Sequence, residues 1–349
     1  MNSNNSSLGK ESLCIIRLSA IGDVTHMLPI IHSIQKFRPH TQITWIIGKV
    51  EHKLVGDLPN VEFIVFDKRL GLRAYSNALK QLKGRSFDIL LACQVSLRAN
   101  ILTKLIRARR KVGYDKSRAK DFHSLVVNET IQPAKIHVLD SFFQFIEHIG
   151  IAHKKLDWSV PISEEAQLFA KQVLPDHQPI VAISPCSSHT LRNWHAEGYA
   201  SIANHAVKKH HAKIVLLGGN SDLEKELGEK ISALLTEPAI NLIGKDTLKK
   251  LLAILQRCTV LLTPDSGPAH MATCVDTPVI ALHAATNSAR SGPYLSQQWC
   301  VDKYEDTTLK YLGKSPDEIR WGTKVEKPGV MNLIKTEDVI IKLDQLLEH

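Results

Sequence analysis

Short, β-branched apolar runs alternate along this chain with longer stretches in which apolar residues return every three or four positions. The short runs predict strands at 13–18, 43–47, 62–66 and 89–92, and again at 180–184, 213–217, 240–243, 260–262 and 278–282, with helices between them. Residues 139–149 carry the period of an amphipathic helix. Strands that alternate with helices in this way build parallel sheets from βαβ units. The two series are separated by Asp157-Trp158-Ser159-Val160-Pro161, which predicts two α/β domains, 13–160 and 161–335. An Asn- and Ser-rich lead-in over 1–12 is expected to be disordered, and a last helix within 336–349 is expected to pack back on the first domain. Doubly wound domains bind ligands at the carboxyl ends of their strands, so the chemistry is expected there.

A length of 349 residues suits two such domains. No apolar run reaches the roughly 18 to 20 residues that a membrane-spanning helix needs, and the amino terminus lacks the pattern of a signal or transit peptide. Six widely spaced cysteines without a Cys-x-x-Cys pair predict buried free thiols and a reducing cytoplasm. The formal charge of +9 predicts an anionic partner: nucleic acid, lipid headgroup or phosphorylated substrate.

Three strand-to-helix junctions hold candidate chemistry. RLSAIGDVTHMLP, from Arg17 to Pro29, ends a strand in a small-residue turn and places Asp23 at the start of a helix, either as a cleft-facing carboxylate or as a plain cap. SPCSSHTLRNW, from Ser184 to Trp194, supplies the hydroxyls of Ser187 and Ser188 and the fork of Arg192, which suit a diphosphate. PDSGPAHMAT, from Pro264 to Thr273, brings Asp265, Ser266, Gly267 and His270 to a strand end where backbone N–H groups can receive an anion, although Asp265 could be a cap and His270 a packing residue. Between the last two, Asp222 follows Gly218-Gly219 at a further junction, an acid suited to ribose hydroxyls. There is neither a Gly-x-Gly-x-x-Gly fingerprint nor a Walker loop, so dinucleotide redox chemistry loses its main support.

These three strings, in this order and spacing, resemble glycosyltransferase family 9, the ADP-heptose:lipopolysaccharide heptosyltransferases, and the SPCSS loop resembles most the type I enzymes that add the first heptose to Kdo. The resemblance spans residue 13 to the last helix. It implies a GT-B architecture of two Rossmann-like domains facing a deep cleft, with an acceptor-binding first domain and a nucleotide-sugar-binding second. It also implies inversion at the anomeric carbon without a metal or other cofactor. Asp23 matches the family's proposed base, and Arg192 stands where relatives commonly carry a lysine on the diphosphate. Ser187 and Ser188 replace a threonine pair, Asp222 falls at the ribose acid, and Asp265, Ser266, Gly267 and His270 match the donor motif. The implied partners are an ADP-heptose donor, a Kdo-lipid A acceptor and the inner leaflet, with the enzyme cytoplasmic and peripheral to the inner membrane.

The residues agree with that implied chemistry. Expelling ADP needs a base for the incoming hydroxyl and compensation for charge growing on the diphosphate. No Asp-x-Asp pair or His/Cys cluster is legible for a divalent cation, so Arg192 and the Ser266-Gly267 turn are expected to take that part. The basic stretch that includes Arg107, Arg109 and Arg110 is either a solvated face or, with His26, an anionic-acceptor surface. A nucleic-acid-binding protein would be basic too, but no helix-turn-helix, zinc-finger or aromatic RNA-binding signature is present. A relative using another nucleotide sugar or a later acceptor remains open, and a non-catalytic binder would be expected to lack the acid at position 23.

Overall fold

The computed structural model describes residues 11–174 and 177–348. Most of the expected lead-in lies outside these residues, but Glu11 and Ser12 are already built into the fold. Glu11 pairs with Arg38 at 3.0 Å, and β1 starts at Ser12. The chain divides into two compact units, 1–134 with 139–157 and 135–138 with 158–349, whereas the sequence had put the junction at 160 and 161.

In the first unit the order is β1 (Ser12–Ile16), α1 (Ile21–Phe37), β2 (Gln42–Gly48), α2 (Lys49–Val55), β3 (Val61–Phe66), α3 (Leu72–Gln81), β4 (Phe87–Leu91), α4 (Leu97–Leu105), β5 (Ala108–Gly113), β6 (Glu129–Thr130) and α5 (Val138–His148). All neighbouring strands are parallel, in the order β3-β2-β1-β4-β5-β6. β1 pairs Leu13 with Ile43 on one side and Ile89 on the other, and its apolar run is continuous because both faces of a central parallel strand are covered. On one of those faces Cys14, Ile16, Ile46, Ile64, Leu90 and Leu102 form a dry cluster. β5 was not foreseen: its sequence, ARRKVG, shows only Val112 and Gly113 buried.

The second unit runs α6 (Glu164–Val173), β7 (Ile180–Ile183), α7 (Ala196–His210), β8 (Lys213–Leu216), α8 (Asp222–Ala233), β9 (Ile240–Asn241), α9 (Leu248–Gln256), β10 (Val260–Pro264), α10 (Gly267–Thr273), β11 (Val279–His283), α11 (Ser288–Ser291), β12 (Val301–Asp302), α12 (Tyr304–Leu312) and α13 (Thr336–Leu347). Its order, β9-β8-β7-β10-β11-β12, repeats that of the first unit strand for strand. Both units therefore have a switch point between their first and fourth strands, where doubly wound sheets leave a crevice at the carboxyl ends.

The last helix departs from expectation. Val339 and Leu343 on α13 are fully buried in the second unit's own core with Tyr199, Ile202 and Ala206 of α7, so α13 is built into the second unit. Four apolar positions at helical spacing, Val339, Ile340, Leu343 and Leu347, fix that choice by burial. No helix of the described residues is long and apolar enough to cross a membrane.

Candidate active site

At the first unit's switch point the loops after β1 and β4 are tied together. The Leu18 amide donates to Gln94 Oε1 at 2.7 Å, the Ser19 amide to the same oxygen at 3.2 Å, and Arg17 Nη1 to the Cys93 carbonyl at 2.6 Å. Arg17 also ion-pairs with Asp23 and lies over the Phe142 ring at 5.3 Å. Asp23 Oδ2 accepts the Ala20 amide at 3.3 Å, so the carboxylate caps its helix and faces a guanidinium at once. It keeps 29% of its side chain exposed, against 11% for Arg17. Asp23 is thus both the cap of its helix and the partner of Arg17. His26, named with the acceptor surface, is almost wholly buried on the same helix.

Beside this loop a cavity of about 310 Å³ opens at the carboxyl ends of β1 to β4. Lys49, Lys53, Lys68, Arg69 and Arg98 line it together with Glu51, Asp67, Ser19, Gln94 and Ser96. Lys49 is engaged by Asp67 at 2.8 Å, and burial raises the Glu51 carboxyl above its ordinary value. The cavity is left strongly cationic. Gly48 is required where β2 enters it, since a Cβ there would sit 2.3 Å from the Leu18 carbonyl.

Arg107, Arg109 and Arg110 lie elsewhere. Arg107 precedes β5 and Arg109 and Arg110 open it, in a register that sets Ala108 beside Phe87 and Arg110 beside Ile89, at the amino ends of the strands and so at the opposite end of the sheet from Asp23. Arg110 is held by Glu129 through two bonds of 2.8 Å, and Glu129 also meets His148 Nε2 at 2.8 Å. Arg107 and Arg109 are exposed. Arg107 and Arg109 thus sit on a solvated face and Arg110 in an ion pair, while the cationic cavity opens at the other end of the sheet.

In the second unit the β7 and β10 loops bring the sequence candidates together. Arg192 donates from Nε to Glu326 Oε1 at 2.7 Å, and its Nη1 stands 3.8 Å from Asp265 Oδ2. Asp265 is largely buried, which alone would raise its pKa. His283, His270, the Thr286 hydroxyl and Arg192 outweigh burial and hold the carboxyl below its usual value. Ser266 Oγ lies 2.8 Å from Thr263 Oγ1, which donates to the Ser184 carbonyl at 2.8 Å, so the two loops are stitched at their bases. Ser187 is buried, with its hydroxyl donating to the His189 carbonyl and its amide bound by Asn193 Oδ1 at 2.7 Å, while Ser188 is exposed. Lys324 is drawn into the same electrostatic group. Burial and the proximity of Arg192 lower its pKa, and Glu326 and Asp265 work against that shift.

At the β8 junction Asp222 is exposed on the first turn of α8. Glu224, two residues on, accepts the Gly219 amide at 2.6 Å and completes a capping box with Ser221, so Glu224 is the acid over the glycine turn. The sequence reading missed Glu224, Lys324 and Glu326. Ser221-x-x-Glu224 was a legible capping signal, but no local signal marks Lys324 or Glu326, which reach the loops from an irregular stretch late in the chain.

The family described as Glycosyltransferase family 9 (heptosyltransferase) matches residues 76–315. The lipopolysaccharide core heptosyltransferase OpsX of Haemophilus influenzae is 40% identical over 337 residues, covering 96% of this chain and 97% of that protein. Among solved structures, a family 9 glycosyltransferase from Veillonella parvula superposes with a TM-score of 0.81 at 22% identity, covering 99% of both chains. Escherichia coli heptosyltransferase WaaC with ADP-2-deoxy-2-fluoro heptose gives 0.64 at 17% identity, covering 82% of this chain and 97% of that one. At these identities the two structures speak for the fold, the two-domain GT-B arrangement of Rossmann-like halves.

Proposed function

Because the chain belongs to glycosyltransferase family 9 and is a heptosyltransferase, we propose that it transfers heptose from ADP-L-glycero-D-manno-heptose to a Kdo-lipid A acceptor during assembly of the lipopolysaccharide inner core. The observation that carries the donor half is the meeting of Arg192, Asp265 and the Ser266-Gly267 turn at the carboxyl ends of β7 and β10. A guanidinium held in place by Glu326 needs no reorganisation as charge grows on the departing diphosphate. Lys324 adds a second cation to the same ground, and inversion then proceeds without a divalent ion. His270 and the Ser188 hydroxyl border the donor, and the Glu224 turn with Asp222 faces the ribose.

In the first unit Asp23 receives the proton of the attacking hydroxyl, and Arg17 sets the direction of its carboxylate. The cavity lined by Lys53, Lys68, Arg69 and Arg98 takes the carboxylates and phosphates of the acceptor, and the same charge draws the enzyme to the cytoplasmic leaflet. Purified protein with ADP-heptose and de-acylated Kdo-lipid A, assayed in EDTA and beside other nucleotide sugars, tests the whole reading. Transfer from ADP-heptose in the chelator is expected. Transfer from another nucleotide sugar only, or only after magnesium is restored, overturns it.

A further inference from the structure

At the end of the second unit's sheet remote from Arg192 and Asp265, three side chains converge on one point. His205 and His210 belong to the last turns of α7, which closes just before β8 starts at Lys213, so they lie by the amino ends of the strands. His205 Nε2 is 2.8 Å and His210 Nε2 2.6 Å from the same oxygen, Oδ1 of Asp344 on α13. Positions five apart diverge by about 140° around a helix. Both rings nonetheless reach one carboxylate because α13 lies across α7, and the ring centroids are 6.0 Å apart. The other carboxylate oxygen, Oδ2, is 2.9 Å from Lys209 Nζ, which also meets Glu348 at 2.7 Å.

We infer that His205, His210 and Asp344 form a binding site for a divalent transition metal, zinc foremost, that pins the last helix to α7. Two imidazole nitrogens and one carboxylate oxygen, all within 4.8 Å of one another, are the donor set of a three-ligand zinc centre, with water as the fourth ligand. Zinc bonds of about 2.0–2.2 Å at tetrahedral angles place neighbouring ligand atoms about 3.4 Å apart. From contacts of 2.8 and 2.6 Å, each nitrogen must therefore draw back from the oxygen by roughly 0.6 to 0.8 Å, which side-chain torsions supply. Each neutral ring would carry its proton on Nδ1 and turn the Nε2 lone pair inward.

Three features favour the ion. His205 and Asp344 are 27% and 20% exposed, which leaves a route in, whereas His210 at 8% anchors the base. Oδ1 faces both rings and Oδ2 faces Lys209, so the carboxylate can bind the metal through one oxygen while the ammonium fixes the other from outside. Lys209 has Glu348 as an alternative partner if the incoming charge displaces it. The site lies away from the donor loops, so it acts on the attachment of α13 and not on transfer.

The test uses the full chain, stripped with EDTA and dialysed, then titrated with zinc chloride by calorimetry, with thermal melts run alongside. One zinc per chain and a melting midpoint raised by roughly 5 °C at a hundredfold excess over the dissociation constant are expected. His205→Gln with His210→Gln, and separately Asp344→Asn, should each abolish the zinc-dependent shift while the transferase rate in EDTA stays that of the parent. Cobalt should give the visible spectrum of a four-coordinate ion in the parent and lose it in both variants. No stabilisation of the parent, or the same zinc stoichiometry and shift in either variant, overturns the site. Measuring the shift of each variant against its own apo form keeps the result readable even if a substitution lowers the starting stability.

Discussion

Glu326 grips Arg192 from 134 residues further along the chain, with Nε donating to Oε1 at 2.7 Å and Nη2 donating to the same oxygen, while Asp265 waits 3.8 Å from Nη1. The guanidinium is thereby oriented before any ligand arrives. Arg192→Ala is expected to slow the chemical step by roughly 30- to 1000-fold, the scale of one lost preorganised donor, with a smaller loss in donor binding. Arg192→Lys should recover part of it, because an ammonium keeps the charge but not the fork. Glu326→Gln should cost about tenfold, through orientation alone. Single-turnover rates decide: if only the donor dissociation constant moves, arginine is an anchor and Glu326 its tether.

Asp23 separates two roles by the choice of replacement. Asp23→Asn keeps an oxygen for the Ala20 amide but removes the base and the charge facing Arg17. Turnover is expected to fall about a hundredfold or more with ADP affinity unchanged and the melting midpoint nearly so. A midpoint that drops while the rate holds would make Asp23 a helix cap and nothing more.

The two basic regions of the first unit should respond differently. Lys68→Ser with Arg69→Ser is expected to raise KM for the anionic acceptor several-fold and leave ADP binding alone, and added salt should mimic it as exposed charges are screened. Arg107→Ser with Arg109→Ser, at the other end of the sheet, should change neither. The reverse pattern would return the acceptor to β5.

His123 gives the first unit a pH dependence. It is fully buried, takes the Tyr114 amide on Nε2 at 3.0 Å and faces Asn100 Oδ1 at 2.8 Å. Burial lowers its pKa to about 4 from 6.5. The unfolded chain binds the proton first as pH falls, so this stability is complete above 6.5 and is lost progressively between 6.5 and 4, on the order of 3 kcal/mol in all. In urea melts, His123→Gln should flatten the slope between pH 6.5 and 4.5, above the range where depressed carboxylates titrate. An unchanged slope would assign it to other groups.

Central strands were legible because a parallel strand covered on both faces is an unbroken apolar run, as in Leu13 to Ile16 and Val260 to Leu262. β5 was hidden, since Arg109, Arg110 and Lys111 break the apolar run of a backbone that still pairs with β4, with Arg110 neutralised by Glu129 and Lys111 bound to the Thr103 carbonyl. Arg192 and Asp265 could be found because each lies in the segment that leaves its strand before the next helix. Lys324, Glu326 and the His205, His210 and Asp344 cluster could not, because tertiary folding alone brings together residues more than a hundred positions apart. The last helix went astray for a related reason: its apolar face states that it must be covered, and not by what.

One hydrophobic cluster of the described residues is built from β1 to β4 with α3 and α4, and another from β7, β8, β10 and β11 with α7 and α13. Each unit thus carries a hydrophobic cluster of its own. A calorimetric scan is expected to show two overlapping endotherms and not one cooperative transition, and ADP should move only the one belonging to the second half. A nucleotide screen that follows a single averaged signal would then dilute a real hit, whereas a fluorescence probe reporting Trp194, buried against Tyr199 of α7 and two residues from Arg192, would see it undiminished.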